Sequence, residues 1–258
     1  MDRPSPSARG KPFGSPLWKK VDLIYEKPVW HYQDSWKQLD SLWCCDAENL
    51  RLILKPTEAG QLGVFPEHWG HWSWLDSLIG SRSPTDVRVL SLFAYTGATT
   101  LFLARLGCAV THVDASRPTV QWARENCELN NMNHLPIRWV VEDARRYAER
   151  ECQRNAIYDL IILDPPSFGH GPRQEQWRLR RDLPNLMETC WRLLSPNPLG
   201  VLLCGHSQNI DLKQTVQQLK AIVGNQALGK VDLQQSTLVD EKKRALNCGY
   251  ACRFSFVA

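Results

Sequence analysis

The sequence lacks the long apolar run that a membrane-spanning helix requires, since no stretch approaches about 20 predominantly apolar residues. It also lacks a strong charge of one sign: 31 Lys and Arg against 27 Asp and Glu leave a formal net charge of +4. That charge is compatible with a polyanionic partner but is too small to indicate one. With 258 residues and a 43% apolar share, the chain is expected to form an α/β domain with an extension.

Zinc-type cysteine spacing is absent as well. Nine cysteines are scattered along the chain, and only Cys44 with Cys45 and Cys248 with Cys252 lie close together. Neither group supplies the two C-x-x-C pairs that indicate a zinc site, so we predict no metal. Because the first residues contain no apolar signal segment, we expect reduced thiols, a cytoplasmic location and no membrane association.

Composition divides the chain into three parts. Residues 1–16 are rich in Pro, Ser, Gly and Arg and are predicted to be a disordered tail. Residues 17–80 are predicted to be a small aromatic-rich β extension with a lead-in helix over 69–79, because short alternating fragments occur at 21–25, 30–36 and 50–54. Residues 81–258 are assigned to the main domain.

Tryptophan is concentrated in the extension. Tryptophan stacks on nucleobases, but it also buries a large apolar surface, so packing in the core or between subunits is the favoured interpretation. A homo-oligomer formed through this aromatic extension stays open. The seven tryptophans are Trp18, Trp30, Trp36, Trp43, Trp69, Trp72 and Trp74.

Residues 87–114 predict a strand, a tight turn, a helix and a second strand. The buried strand over 87–93 leads into a turn that ends at Gly97, and Gly107 caps the following helix. The second strand, 108–113, ends at Asp114. In a right-handed βαβ unit both strand ends open on one crevice, so Gly97 and Asp114 can hold one ligand from two sides.

This turn contains one glycine, whereas a dinucleotide site has G-x-G-x-x-G so that the backbone can approach a pyrophosphate. Tyr95 would also intrude where phosphates lie. A nucleoside cofactor without phosphates fits better, and S-adenosylmethionine is the obvious candidate, with Asp114 bonding the ribose diol. The alternative is an ordinary α/β unit without a ligand.

A second acid follows the third predicted strand, 137–141, in Glu142-Asp143-Ala144. Asp143 lies where it can accept the exocyclic amine of an adenine. It can equally cap a helix over 145–154, and the two roles are compatible.

The fourth predicted strand, 158–163, runs into Asp164-Pro165-Pro166-Ser167-Phe168. Two prolines remove two donors and fix φ, so we expect a stiff, extended segment whose bare carbonyls face the crevice and hold an amine. Asp164 would lie near the sulfonium, and Phe168 would offer a flat face to a target base.

Arginines follow this motif in residues 170–181, namely Arg173, Arg178, Arg180 and Arg181, with Trp177 placed at the crevice mouth. They favour phosphate contact, and a solvated helix face is the alternative. A fifth strand at 200–204, a helix at 210–223 and two antiparallel strands at 231–239 and 250–257 complete the prediction.

With these motifs in place, the chain resembles the class I S-adenosylmethionine-dependent methyltransferases, specifically the large-subunit ribosomal-RNA methyltransferases marked by F-x-Y-T-G and D-P-P-x-F. The resemblance covers most of residues 50–258. It is carried by Gly63-Val64-Phe65-Pro66-Glu67, Phe93-Ala94-Tyr95-Thr96-Gly97, Asp114-Ala115-Ser116, Asn126, Asn130, Asp143-Ala144 and Asp164 to Phe168.

This resemblance implies an α/β, Rossmann-like, seven-stranded and mostly parallel sheet with helices on both faces. It also implies that Glu67 or His68 approaches the cofactor from the extension. The predicted cofactor-binding residues are Glu67, Phe93, Ala94, Tyr95, Gly97, Asp114, Ala115, Asp143, Ala144 and Asp164. The predicted catalytic residues are Asp164, Pro165, Pro166 and Phe168, and the predicted RNA contacts are Phe168, Arg173, Arg178 and Arg181.

The chain departs from the cytosine-C5 members of this group, which carry a nucleophilic Cys beyond the fifth strand where this sequence has His206 and Ser207. Pyrimidine C5 needs a thiolate added at C6 first, whereas an oriented nitrogen attacks unaided. We therefore favour a base nitrogen of ribosomal RNA, with His206 as a candidate proton acceptor. Three alternatives stay open: a C5 enzyme that uses Cys204, a methyltransferase of a non-RNA substrate, and a non-catalytic RNA-binding protein.

Overall fold

The fold was obtained as a computed structural model, which describes residues 23–26, 29–32, 42–206, 212–223, 229–239 and 243–256. The predicted tail, 1–16, lies outside the described residues, as do Trp18, Trp36 and Ser207.

The extension begins with two antiparallel hairpins, β1 (Leu23–Glu26) with β2 (Val29–Tyr32) and β3 (Cys44–Ala47) with β4 (Leu50–Ile53). A 3-10 helix (Pro66–His71) and helix α1 (Trp72–Ile79) follow. Strand β3 was not predicted, because its Cys-Cys-Asp-Ala sequence has no clear alternation.

The remaining elements alternate as strands and helices before two closing strands. In chain order they are β5 (Arg88–Leu92), α2 (Ala98–Arg105), β6 (Ala109–Asp114), α3 (Arg117–Leu129), β7 (Ile137–Val141), α4 (Ala144–Gln153), β8 (Leu160–Leu163), β9 (Phe168–His170), β10 (Gln176–Arg178), α5 (Leu179–Arg192), β11 (Gly200–Gly205), α6 (Leu212–Val223), β12 (Lys230–Val239) and β13 (Ala245–Ser255). The short hairpin formed by β9 and β10 was not predicted.

Seven strands form the central sheet in the order β12-β13-β11-β8-β5-β6-β7. Strands β5, β6, β7, β8 and β11 pair in parallel, and β13 runs antiparallel to both of its neighbours. The predicted fold class, a seven-stranded and mostly parallel sheet, is confirmed.

Helices cover both faces of the sheet, as predicted. Strand β8 shows the two faces directly: Leu160 and Ile162 belong to one apolar cluster, and Ile161 and Leu163 to the other. The first cluster contains α1, α2 and α3, and the second contains α4 and α5. A strand buried on both sides needs apolar residues throughout, which is why β8 reads Leu-Ile-Ile-Leu.

The extension packs onto the first of these faces. Trp72 is fully buried and stacks on Phe102 of α2, with ring centroids 4.6 Å apart. Arg51 of β4 is bonded through its N–H and carbonyl to the side chain of Asn130, the residue that follows α3. Packing is therefore the role of Trp72, as favoured from the sequence. None of the helices in the described residues combines the length and apolarity needed to cross a bilayer.

Candidate functional site

The turn after β5 has a strained backbone. Phe93, Tyr95 and Gly97 have φ of 55°, 50° and 86°, which is unfavourable for the two aromatic residues. Hydrogen bonds hold the turn, because Ala94 N donates to the carbonyl of Val113 at 3.1 Å. The positive φ of Gly97 favours glycine, and a Cβ there would also crowd Ala123, whose Cβ would lie 3.1 Å away.

Residues of the extension are linked to this turn by hydrogen bonds. The hydroxyl of Thr96 donates to the carbonyl of Gly63 at 2.5 Å, and Asn126 Nδ2 donates to the carbonyl of Thr96 at 2.9 Å. The other atom of the same amide, Asn126 Oδ1, accepts from Ile53 N at 2.8 Å. One buried amide thus links β4 to the turn.

Asp114, the predicted ribose ligand, ends β6 and braces the turn. Its Oδ2 accepts from Tyr95 N and its Oδ1 accepts from Ser116 N, each at 2.9 Å. Burial raises the pKa of Asp114, and the backbone N–H donors oppose that rise. Each carboxylate oxygen has a second lone pair, so further donors can be accommodated.

Asp143 caps α4, as the alternative interpretation predicted. Its Oδ1 accepts from Arg145 N at 2.9 Å and from Arg146 N at 3.3 Å. The guanidinium of Arg145 also bonds Asp143 Oδ2 at 2.9 Å, which raises the pKa of Arg145. The same guanidinium reaches Asp182 at 3.2 Å and the carbonyl of Gln176 at 3.2 Å. Arg145 therefore connects the cap to the β9–β10 hairpin.

The predicted strand-end residues share one edge of the sheet. Strands β8, β5, β6 and β7 are consecutive neighbours and parallel, so their carboxyl ends lie side by side. Backbone bonds continue this order beyond the strands, from Asp164 N to the carbonyl of Leu92 at 3.4 Å and from Glu142 N to that of Asp114 at 3.1 Å. Each predicted motif therefore leaves the sheet at this edge.

The proline segment differs from its prediction in one respect. The carbonyl of Pro166, expected to be bare, accepts from Trp177 Nε1 at 2.6 Å. Trp177, expected at the crevice mouth, is only 2% exposed and packs against Phe93 with ring centroids 4.9 Å apart. Both differences arise from the β9–β10 hairpin, which was not predicted. The hairpin brings the indole of Trp177 within hydrogen-bonding distance of the proline segment.

Phe168 lies on this hairpin and is 45% exposed, with its ring against His170 at 4.9 Å. Arg178 is opposite Phe168 in the strand register. All three arginines predicted to contact RNA, Arg173, Arg178 and Arg181, are on the surface. Arg181 is bonded to Asp182 Oδ1 at 2.8 Å and to the carbonyl of Gln176 at 2.7 Å, so part of its bonding capacity is used within the chain.

Two histidines flank Asp164. His68 Nε2 lies 3.0 Å from Asp164 Oδ2, and His206 Nε2 lies 3.7 Å from Asp164 Oδ1. Glu67 Oε1 lies 3.5 Å from His206 Nδ1. Ligand-type atoms of His68, Asp164 and His206 all lie within 4.8 Å of one another, a grouping that cysteine spacing does not predict.

These charges shift one another's titration. Burial disfavours protonated His68, yet the adjacent Asp164 carboxylate outweighs burial and raises the pKa of His68 well above its ordinary value. Burial likewise opposes ionisation of Asp164, but the positive charge of His68 and the hydrogen bond from it lower the pKa of Asp164. Asp164 is therefore an ionised carboxylate at neutral pH.

Cys204, the alternative nucleophile, is 3% exposed and belongs to the apolar core. Burial raises the pKa of its thiol, although His68 partly opposes the rise. A buried, protonated thiol is a poor nucleophile, so this geometry disfavours the C5 interpretation.

Comparison with known proteins bears on the family. The profile of the family described as Conserved hypothetical protein 95 matches residues 73–233, more than half of the chain. A crystal structure described as the SAM-dependent methyltransferase from Agrobacterium tumefaciens is 31% identical in sequence, with a TM-score of 0.85. The alignment covers 93% of this chain and 79% of that one.

Two curated relatives are similar over shorter regions, and both are named Ribosomal RNA large subunit methyltransferase K/L. The protein from Shewanella oneidensis is 40% identical over 122 residues, which are 46% of this chain and 17% of the relative. The protein from Hahella chejuensis is 31% identical over 167 residues, 64% of this chain and 22% of the relative. The chain therefore spans only a small part of the curated relatives that it matches.

Proposed function

Because the chain belongs to the Conserved hypothetical protein 95 family and to the S-adenosylmethionine-dependent methyltransferases, we propose that it methylates a base nitrogen of large-subunit ribosomal RNA. The observation that carries this proposal is the shared carboxyl edge of β8, β5, β6 and β7, where three acidic side chains follow neighbouring strands. We assign residues 81–258 to the methyltransferase domain. We assign residues 17–80 to the extension, which supports the turn after β5 (Phe93 to Gly97), called the cofactor turn below.

The residues at this edge fit a nucleoside cofactor. Asp114 has spare lone pairs for ribose hydroxyls, and its carboxylate is held in place by Tyr95 N and Ser116 N. Asp143 and Ala144 would receive the adenine, and Phe93 to Gly97 would line the methionine part of the crevice. The bound cofactor supplies a methyl group on a positively charged sulfur.

The chain's own task is alignment. Methyl transfer is an in-line displacement, so a protein accelerates it by orienting the acceptor and excluding water. Asp164 provides a negative charge near the sulfonium, and Phe168 provides an exposed aromatic face on which a base can stack. Arg178 lies opposite Phe168 in the strand register and Arg173 is exposed in the loop of the same hairpin, so both are available to phosphates.

RNA as the substrate is supported by the names of the curated relatives and by this hairpin surface. The test is transfer of labelled methyl groups from S-adenosylmethionine to large-subunit ribosomal RNA transcribed in vitro, which carries no modifications. We expect labelled RNA from the wild type and a loss of at least about 100-fold in Asp164→Asn. The control is His134→Gln, a change at an exposed histidine in the loop before β7, and it should keep full activity.

Other outcomes separate the alternatives. Label found only in protein or in a small metabolite would reject RNA as the substrate. A covalent adduct with RNA that contains 5-fluorocytosine would establish the C5 mechanism of Cys204. Calorimetry that detects no binding of S-adenosylhomocysteine would support a non-catalytic protein.

We also propose self-association through the aromatic extension. Val29 of β2 and Leu42 are 52% and 58% exposed, so both apolar side chains are available for contact with a second copy of the chain. Light scattering during gel filtration should give a dimer mass that falls to a monomer mass in a Val29→Lys, Leu42→Lys variant. A monomeric wild type would reject this part of the proposal.

A further inference from the structure

Two buried polar atoms face each other beside the proline segment. His206 Nε2 and Asp164 Oδ1 are 3.7 Å apart, too far for a hydrogen bond. Each is shielded from solvent, and neither has a hydrogen-bond partner among the described residues. Buried polar groups are normally bonded, so an unbonded pair at a candidate active site points to a missing ligand.

The protonation of His206 follows from its other nitrogen. Nδ1 lies 2.6 Å from the carbonyl of Cys248, and a carbonyl only accepts hydrogen bonds, so Nδ1 carries the hydrogen. In the neutral ring Nε2 therefore holds a lone pair. Glu67 Oε1, 3.5 Å from Nδ1, favours the same tautomer.

The approach of Cys248 is itself built into the fold. The next residue, Gly249, has φ +118°, and a Cβ there would lie 2.3 Å from the carbonyl oxygen of Gly205 and 3.0 Å from Cα of His206. Only glycine lets β13 pass this close to the end of β11. The tautomer of His206 is thus fixed by backbone geometry.

Asp164 is also an acceptor at this point. Its Oδ2 is bonded by His68, and its Oδ1 is the oxygen that faces His206. The two facing atoms are then both acceptors, and their ligand has to supply donors to each. A divalent cation would meet the same geometry, but it would stand next to the sulfonium and be repelled by it.

We propose that Asp164 Oδ1 and His206 Nε2 together bind the two N–H groups of an exocyclic amine on the target base, and that His206 accepts the proton released on methylation. This inference rests on the proposed function and narrows its acceptor from any base nitrogen to an amino group of adenine, cytosine or guanine. It also assigns to His206 a second acceptor position, from outside the proline segment.

The reaction then balances. The amine lone pair forms the N–C bond to the methyl carbon while the C–S bond breaks, and that bond's electron pair stays on sulfur as a neutral thioether. The electron pair of one N–H bond returns to nitrogen, and its proton moves to His206 Nε2. Glu67, beside Nδ1, stabilises the resulting imidazolium.

The product identifies the acceptor. RNA labelled by the wild type is digested to nucleosides and analysed by mass spectrometry. N6-methyladenosine, N4-methylcytidine or N2-methylguanosine is expected. A product methylated on a ring nitrogen or on carbon would overturn this inference and leave RNA methylation standing, whereas unlabelled RNA would be a failure of the proposed function itself.

A variant isolates the role of His206. His206→Gln keeps a polar side chain but removes the basic nitrogen, and the single-turnover rate should fall about 100-fold at saturating cofactor. The dissociation constant for S-adenosylhomocysteine should change by no more than about twofold. His134→Gln is the matched control, and both variants should melt as the wild type does.

Three results would overturn the assignment. A wild-type rate in His206→Gln would show that His206 takes no part in transfer. Weakened cofactor binding with an unchanged rate at saturation would place the ammonium of the cofactor between the two acceptors. Loss of wild-type activity on treatment with EDTA would place a metal ion there. If His206→Gln is unstable, Glu67→Gln replaces it, with an expected rate loss of about tenfold.

Discussion

Asn126 Nδ2 donates to the backbone carbonyl of Thr96 at 2.9 Å, in the middle of the strained cofactor turn. Because Asn126 Oδ1 also bonds Ile53 N, Asn126→Leu would leave two buried backbone groups without partners. We expect a loss of about 2–4 kcal/mol in the free energy of unfolding and about tenfold weaker binding of S-adenosylhomocysteine. Urea denaturation and calorimetry measure the two effects.

Asn130→Leu is the matched control. Asn130 bonds the backbone of Arg51 in the same manner but does not touch the turn. It should lower stability without weakening cofactor binding. Equal losses of affinity in the two variants would mean that Asn126 acts through general stability and not through the turn.

Arg145 bridges Asp143 and Asp182, so Arg145→Met leaves two carboxylates without their shared cation. We expect a stability loss of about 1–3 kcal/mol and a raised KM for RNA, because the guanidinium also holds the β9–β10 hairpin. Arg146→Met, which breaks a surface pair with Glu175 that solvent screens, should lower stability much less than Arg145→Met does. Similar costs for the two variants would contradict the bridging role.

Trp177→Phe removes the donor to the Pro166 carbonyl while keeping an aromatic ring against Phe93. The freed carbonyl should let the proline segment shift, lowering the rate of methyl transfer about tenfold at unchanged cofactor affinity. Trp74→Phe, which loses an indole bond to Ser255 far from this segment, is the comparison. Equal rates in the two variants would exclude a role for the Trp177 bond in catalysis.

His112 makes folding depend on pH. It is fully buried, and burial lowers its pKa to about 3. Below its ordinary pKa of about 6.5 the unfolded chain binds a proton that the folded chain does not, so stability falls as the pH drops towards 3. The expected loss from His112 between about pH 7.5 and about pH 5 is about 2 kcal/mol.

His112→Leu should reduce the difference in unfolding free energy between these two pH values by that amount, as measured by urea denaturation. The variant will be less stable overall, because Thr100 loses its bond to His112 Nδ1. The informative quantity is the pH difference. A difference equal to that of the wild type would show that His112 is not the titrating group.

Much of the sheet could be predicted from the sequence, because uninterrupted apolar runs such as that of β8 have few other solutions. The β9–β10 hairpin could not, since residues 168–178 contain two glycines and a proline and show no apolar alternation. Its position depends on the burial of Trp177, a tertiary contact. The error at the Pro166 carbonyl has the same origin.

The grouping of His68, Asp164 and His206 also could not be predicted from the sequence. His68 and Asp164 were predicted to lie near the cofactor, and His206 was a candidate proton acceptor, but the three come from a 3-10 helix and from the ends of two different strands. Only the pairing of β8 with β11 brings the latter two together. The tautomer of His206 depends on a further strand, β13, whose register no local pattern reveals.

The reversed direction of β13 has a consequence for when this protein becomes active. Because β13 is antiparallel to β11, the first residues of β13 lie beside the carboxyl end of β11, where His206 is found. Cys248 is one of these first residues. A nascent chain that has already built the parallel strands would still lack the group that orients His206. The arrangement needed for chemistry would therefore be complete only once β13 has paired with β11, after the cofactor turn has formed.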